Sequence, residues 1–173
     1  RRSSSCTTPS TSTGTSTAGK EKLRLLWTVT SPMYRNFFVQ CEERGVAVPI
    51  VQTIFTNRYY GGKPGVYGDV TEFGRKLSPL EEEARMLLRL PWWGLGSRWI
   101  GDTLETCRQL GCEGIVNFLE VGCTATLGLQ KLIADRAERE LGIPTLQIAG
   151  AYHDSEYVNA DEFDAKLQDF IDM

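Results

Sequence analysis

Of the residues able to do redox, nucleophilic or metal chemistry, the sequence holds five cysteines, Cys6, Cys41, Cys107, Cys112 and Cys123, and a single histidine, His153. Cys123 stands apart by its setting. The apolar run Ile115–Leu119 is too short for a helix and is bounded by Gly114 and a polar turn, so it reads as a buried strand. From Thr124 onward Leu129, Leu132, Ile133 and Ala137 fall at three- and four-residue spacing, the period of a helix that hides one face. Cys123 therefore lies where a strand hands over to a helix, the sheet edge at which open α/β folds bind ligands. A thiol there feels the positive end of the helix dipole, which favours the thiolate, the form that binds metal or attacks an electrophile.

The other elements must position that turn. Leu23–Thr30 reads as a strand, followed by the turn Ser31-Pro32-Met33-Tyr34 and a helix to Arg44 with Tyr34, Phe37, Phe38 and Cys41 on its apolar stripe. Val46–Phe55 reads as a second strand, with Pro49 placing it at or near a sheet edge. Residues 56–78 carry five glycines and three tyrosines and form a long excursion of the kind that is functional or mobile. Ser78 is placed to cap a helix starting at Pro79 and carrying Leu80, Ala84, Leu87 and Leu88, with Glu81–Glu83 in its first turn. Beyond the break Pro91-Trp92-Trp93-Gly94, a helix with Ile100, Leu104, Cys107 and Leu110 on one face stops at Gly111. After the central strand and its helix come Ile143–Ile148, a fourth strand, and a last helix bearing Phe163, Leu167, Phe170 and Ile171. This alternation predicts a three-layer αβα, Rossmann- or flavodoxin-like fold with four parallel strands in the order 2-1-3-4. Its switch point sets Ser31 and Tyr34 across one crevice from Glu120, Gly122, Cys123 and Thr124.

Residues 1–20 are small and hydroxylated, have nothing to bury, and are expected to be a disordered head ahead of one domain over 21–173. The chain starts at Arg1 with no signal-peptide pattern, which reads as a fragment of a longer protein. A net charge of −3 argues against nucleic acid as a partner, and no window is apolar enough to span a membrane. An odd cysteine count without compact pairing suits a reducing cytoplasm.

Cys41 and Cys107 sit on apolar helix stripes, where a free cysteine behaves as a small hydrophobe. Cys112 precedes the central strand and Cys123 follows it, so the strand holds them at least ~15 Å apart and rules out an intrachain cluster motif. Cys123 is alone at its sheet edge, and any iron–sulfur cluster there must draw its other ligands from outside this chain. Gly61-Gly62-Lys63-Pro64-Gly65 is not a dinucleotide fingerprint, and no phosphate-binding loop is present. Trp92, Trp93 and Trp99 read as core or subunit interface rather than an adenine-stacking site.

Three stretches carry a family resemblance: Leu23-Arg24-Leu25-Leu26-Trp27 with its Ser31–Tyr34 turn, Cys112–Cys123, and Glu140–Ile148 followed by the helix ending Phe170-Ile171. The segment Lys22–Met173 resembles the C-terminal half of subunits of the 2-hydroxyacyl-CoA dehydratase family, which includes the ATP-dependent benzoyl-CoA reductases. The resemblance implies that Cys123, in the place of the family's last cluster cysteine, ligates a [4Fe–4S] cluster. It further implies a second dehydratase subunit, an ATP-hydrolysing iron–sulfur activator that injects one electron, and radical elimination of water from a 2-hydroxyacyl-CoA through a ketyl radical. Two departures matter. The family's N-terminal domain with its other cysteines is absent, so the chain alone is not expected to be active. Where many members carry an acidic residue, a small residue and Asp, this chain reads Ala149-Gly150-Ala151. A module that holds an acyl-CoA or a partner without chemistry stays open beside the enzyme reading, as does ring reduction. A nucleophilic-cysteine enzyme is weaker, because no histidine is placed to activate Cys123. His153, in the loop after the fourth strand, reads as a surface or hydrogen-bonding residue, with proton transfer as the alternative.

Overall fold

The computed structural model describes residues 15–16, 19–29, 37–52, 74–89, 96–157 and 160–173. Its central strand, β4 (Gly114–Glu120), lies between β1 (Leu23–Thr28) and β5 (Thr145–Gly150), and both pairings are parallel. Residues Gly114–Phe118 of β4 are all buried, as expected of a parallel strand covered on both faces. On the far side of β1 the strand expected over 46–55 is broken in two. β2 (Val46–Ala47) pairs with Leu23 and Arg24, and β3 (Val51–Gln52) pairs with Trp27 and Thr28. The ladder stops around Pro49, whose ring nitrogen has no hydrogen to give. The broken strand makes five segments in the order β2-β1-β4-β5, with β3 also on β1. The sheet is thus the expected parallel one, with its switch point between β1 and β4. A two-residue antiparallel pair, Thr15–Ser16 with Gly19–Lys20, stands apart from it.

Alternation along β1 and β4 divides the core between two helix layers. Leu25, Trp27, Val116 and Phe118 face α1 (Phe37–Glu43) and α5 (Ala160–Ile171), where Phe37, Cys41, Phe163, Leu167 and Phe170 meet them. Leu26 and Ile115 face α3 (Gly96–Leu110) and α4 (Thr124–Leu141), where Trp99, Ile100, Leu104, Cys107, Ile133 and Ala137 close the other side. Most of the stripe positions expected from helical spacing are buried or partly buried here, but Leu132 of α4 is 50% exposed because the inward face of that helix runs through Thr126, Gln130, Ile133 and Ala137, and Tyr34 lies outside the described residues. The first strand ends earlier than Thr30: Val29 has a φ of 72°, a conformation hostile to a β-branched residue.

α2 (Pro79–Arg89) opens on a reciprocal cap, in which the Ser78 amide donates to Glu81 Oε2 and the Glu81 amide donates to Ser78 Oγ. Its apolar positions are not all covered, and Leu80 is 80% exposed. α3 ends where Gly111 turns left-handed (φ 63°), and the Cys112 amide donates back to the Cys107 carbonyl at 2.9 Å. In this helix-ending turn the two residues so joined normally share an apolar contact, and here that contact is the buried Cys107–Cys112 pair.

Asp102 of α3 is also buried, and burial pushes its carboxyl from the ordinary 3.8 up to about 6 against the pull of Arg98. A raised acid pKa means that the fold prefers the protonated form. The stabilisation is complete below the ordinary value and is lost as pH rises through about 6. Asp102→Asn should therefore raise the unfolding free energy at pH 8 by about 1–2 kcal/mol, after allowance for Arg98 and residual solvent, with a smaller gain at pH 5. Urea unfolding at the two pH values checks this, and an equal gain at both would contradict it.

Candidate functional site at the β4–α4 turn

β4 hands over to α4 in three residues. Gly122 takes a φ of 91°, which an L side chain resists, and the turn closes when the Cys123 amide donates to the Glu120 carbonyl at 3.1 Å. The Val121 amide donates to Gly150 O at 2.8 Å, so the ends of β4 and β5 hold the turn from both sides. Cys123 is the N-cap of α4, with extended φ −92° and ψ 99°. Its carbonyl accepts from the Leu127 amide at 3.1 Å and from the Thr126 hydroxyl at 3.0 Å.

The thiol itself is half-buried. The Thr126 hydroxyl, followed by the Thr126 and Ala125 amides, holds it below its ordinary pKa, while burial and the Glu120 carboxylate oppose them. The thiol makes no regular capping hydrogen bond, and the Thr126 hydroxyl donates to the Cys123 carbonyl. We therefore read the effect as donors near the sulfur, in agreement with the dipole at a helix start. Cys41, by contrast, is pushed up to about 11 by burial.

Tyr152 stands beside the turn and is the residue that strand and helix patterns do not reveal. Its ring meets the edge of Phe118 at 6.0 Å, and burial, with the charges of Glu120 and Cys123, raises its phenol to about 12. It is thus a neutral donor at physiological pH. Glu120 is half-buried beside it, and its Oε2 has no hydrogen-bond partner among the described residues. Gly122 and Thr124 flank the cysteine and are exposed. His153 is exposed, with its ring 5.7 Å from that of Tyr152. Ser31 and Tyr34, expected across the crevice, lie outside the described residues, as do Trp92, Trp93 and Gly61–Gly65.

Among the described residues no three His, Cys, Asp or Glu side chains gather into a metal site. Cys123 can supply one thiolate to a metal centre, and that single donor fits as one ligand of a larger set. No helix among the described residues is long and apolar enough to cross a membrane.

Residues 7–173 match the family model described as 2-hydroxyglutaryl-CoA dehydratase, D-component. The chain belongs to this family. No curated protein matches the chain. As a member of the dehydratase D-component family, it presents its least buried described cysteine at the sheet edge where the fold binds ligands. An expected consequence is a graded thiol reactivity: Cys123 labels quickly with an alkylating reagent in the folded chain, and Cys41 and Cys107 label only as it unfolds. Peptide mass spectrometry of a time course reads this, and rapid labelling of Cys41 or Cys107 would contradict their burial.

Proposed function

We propose that this chain is the dehydratase component in which Cys123 binds one iron of a [4Fe–4S] cluster, the other ligands coming from outside its described residues. The reading extends the family membership, and one observation carries it: a half-buried thiol, biased toward thiolate, on the carboxyl edge of a parallel sheet. When bound, the cluster would supply one-electron chemistry at low potential. The net reaction converts a 2-hydroxyacyl-CoA into a 2-enoyl-CoA and water, so electrons balance over the cycle and the injected electron is returned. In this reading a second dehydratase subunit and an ATP-dependent activator protein are the partners.

The chain's own residues have defined parts in this reading. Thr126 and the first amides of α4 bias the Cys123 sulfur toward the thiolate, the form that binds a metal. Tyr152 stays protonated and offers a hydroxyl to a substrate oxygen in the crevice. Ala149, Gly150 and Ala151 bring no carboxylate to the end of β5, which leaves acid–base work there to Glu120 or to His153.

The Ala149-Gly150-Ala151 departure at the end of β5 supports a second reading, a module that holds an acyl-CoA or a partner without chemistry. An assay of the assembled complex with activator, ATP, a reductant and 2-hydroxyacyl-CoA separates the two. Formation of 2-enoyl-CoA is the expected result. Acyl-CoA binding without product would favour the module, and reduction of an aromatic acyl-CoA would favour ring-reduction chemistry.

A further inference from the structure

The two faces of the sheet are covered by different chemistry. The α1/α5 layer is aromatic, with Trp27, Phe37, Phe118 and Phe163, whereas the buried polar side chains Thr28, Asn117, Thr126 and Gln130 all turn to the α3/α4 layer. Thr28 and Asn117 lie side by side on β1 and β4, where the Thr28 hydroxyl donates to Asn117 Oδ1 at 2.5 Å. α4 returns alongside β4. Gln130 lies one turn beyond Thr126 on the inward face that also carries Ile133 and Ala137. Counted back from the β4–α4 turn, three strand residues at roughly 3.3 Å and six helix residues at roughly 1.5 Å set Asn117 and Gln130 at a similar depth. Asn117 is fully buried and Gln130 is 1% exposed.

Their carboxamides are not satisfied by the protein. Asn117 Nδ2, Gln130 Oε1 and Gln130 Nε2 have no hydrogen-bond partner among the described residues. Folded proteins rarely leave such groups bare, because each forfeits its hydration without replacement. A direct bond from Asn117 Nδ2 to Gln130 Oε1 would leave Gln130 Nε2 only the second lone pair of Asn117 Oδ1, which already accepts from Thr28. The two amides are neutral and offer both donors and an acceptor, which matches water better than an ion. A buried water needs two to four polar partners, and Asn117 Nδ2, the Gln130 amide and the second lone pair of Thr28 Oγ1 supply three.

We propose that a structural water is held between Asn117, Gln130 and Thr28, joining β1 and β4 to the second turn of α4. It is a positioning site. The inward face that carries Gln130 carries Thr126 one turn earlier, and the Thr126 hydroxyl caps the Cys123 carbonyl, so the bridge fixes how the start of α4 rests on the sheet. The inference does not depend on the dehydratase reading, because it concerns a filled interior site and not the reaction.

Oxygen-17 magnetic relaxation dispersion counts long-lived internal waters in solution. Compared with the wild type, Gln130→Met, close in volume and unable to bond a water, should lose one such water. High-resolution crystallography of the wild type should place a water about 3 Å from Asn117 Nδ2 and from the Gln130 amide. Should Gln130→Met prove unable to fold, the crystallographic result alone decides. Equal water counts in the two proteins, a direct Asn117–Gln130 bond filling the site, or a solute other than water between the two amides would overturn the proposal.

Discussion

Replacing Cys123 by serine in the complete dehydratase complex, prepared without oxygen, should abolish formation of 2-enoyl-CoA and lower the iron and sulfide content. The physical reason is the donor atom. A hydroxyl is a poor substitute for a thiolate at iron, and the environment of residue 123, with the Thr126 hydroxyl and the first amides of α4 close by, is arranged to favour an anionic sulfur. The substitution changes little else, because Cys123 is only half-buried and its backbone already forms the N-cap of α4. Cys107→Ser is the matched control. Cys107 is 1% exposed and packs in the α3/α4 layer, so its loss should cost only packing, on the order of 1 kcal/mol, with cluster content unchanged. A Cys123→Ser complex with full iron and normal turnover would remove the cluster assignment and leave the binding module as the better reading.

The second large effect is on stability. Phe163→Ala should destabilise the domain by about 3–5 kcal/mol in urea unfolding, the range for removing a buried aromatic side chain and leaving a cavity. Phe163 is 1% exposed and stands where three elements meet, with its ring 3.8 Å from that of Phe37 on α1 and 6.2 Å from that of Trp27 on β1. Truncation therefore opens the α1/α5 layer at its centre and loosens the last helix from the sheet. The Cys123 turn projects from the end of β4, which this layer and the α3/α4 layer clamp between them, so cluster content in the complex should fall as the variant approaches its unfolding midpoint. A loss below about 1 kcal/mol would mean that α5 is not docked as described.

The parts of the fold that were legible in the sequence are those set by local periodicity. Ile115–Leu119 announced β4 because parallel strands are buried on both faces and read as unbroken apolar runs, and the spacing after Thr124 announced α4. Cys123 followed from where those two patterns meet. Pro49 signalled an edge strand, yet the ladder breaks around it into β2 and β3, since whether one missing donor bends or interrupts a strand depends on the neighbour it faces. Val29 gave no warning, because valine is normally at home in a strand and its φ of 72° is visible only in the structure. Tyr152 escaped notice for a different reason. Its place beside Glu120 and Cys123 comes from the pairing of β5 with β4, a contact between residues some thirty positions apart that no window of sequence displays. The same holds for Thr28 and Asn117, each an ordinary polar residue in its own strand and notable only because the pairing of β1 with β4 brings the two together.

The most direct test of the central claim is the position of iron in the complete complex. Anomalous diffraction at the iron edge, from crystals grown without oxygen, should show an iron peak within bonding distance of Cys123 Sγ at the β4–α4 turn. Iron held entirely by other residues, with Cys123 a free thiol, would contradict the account.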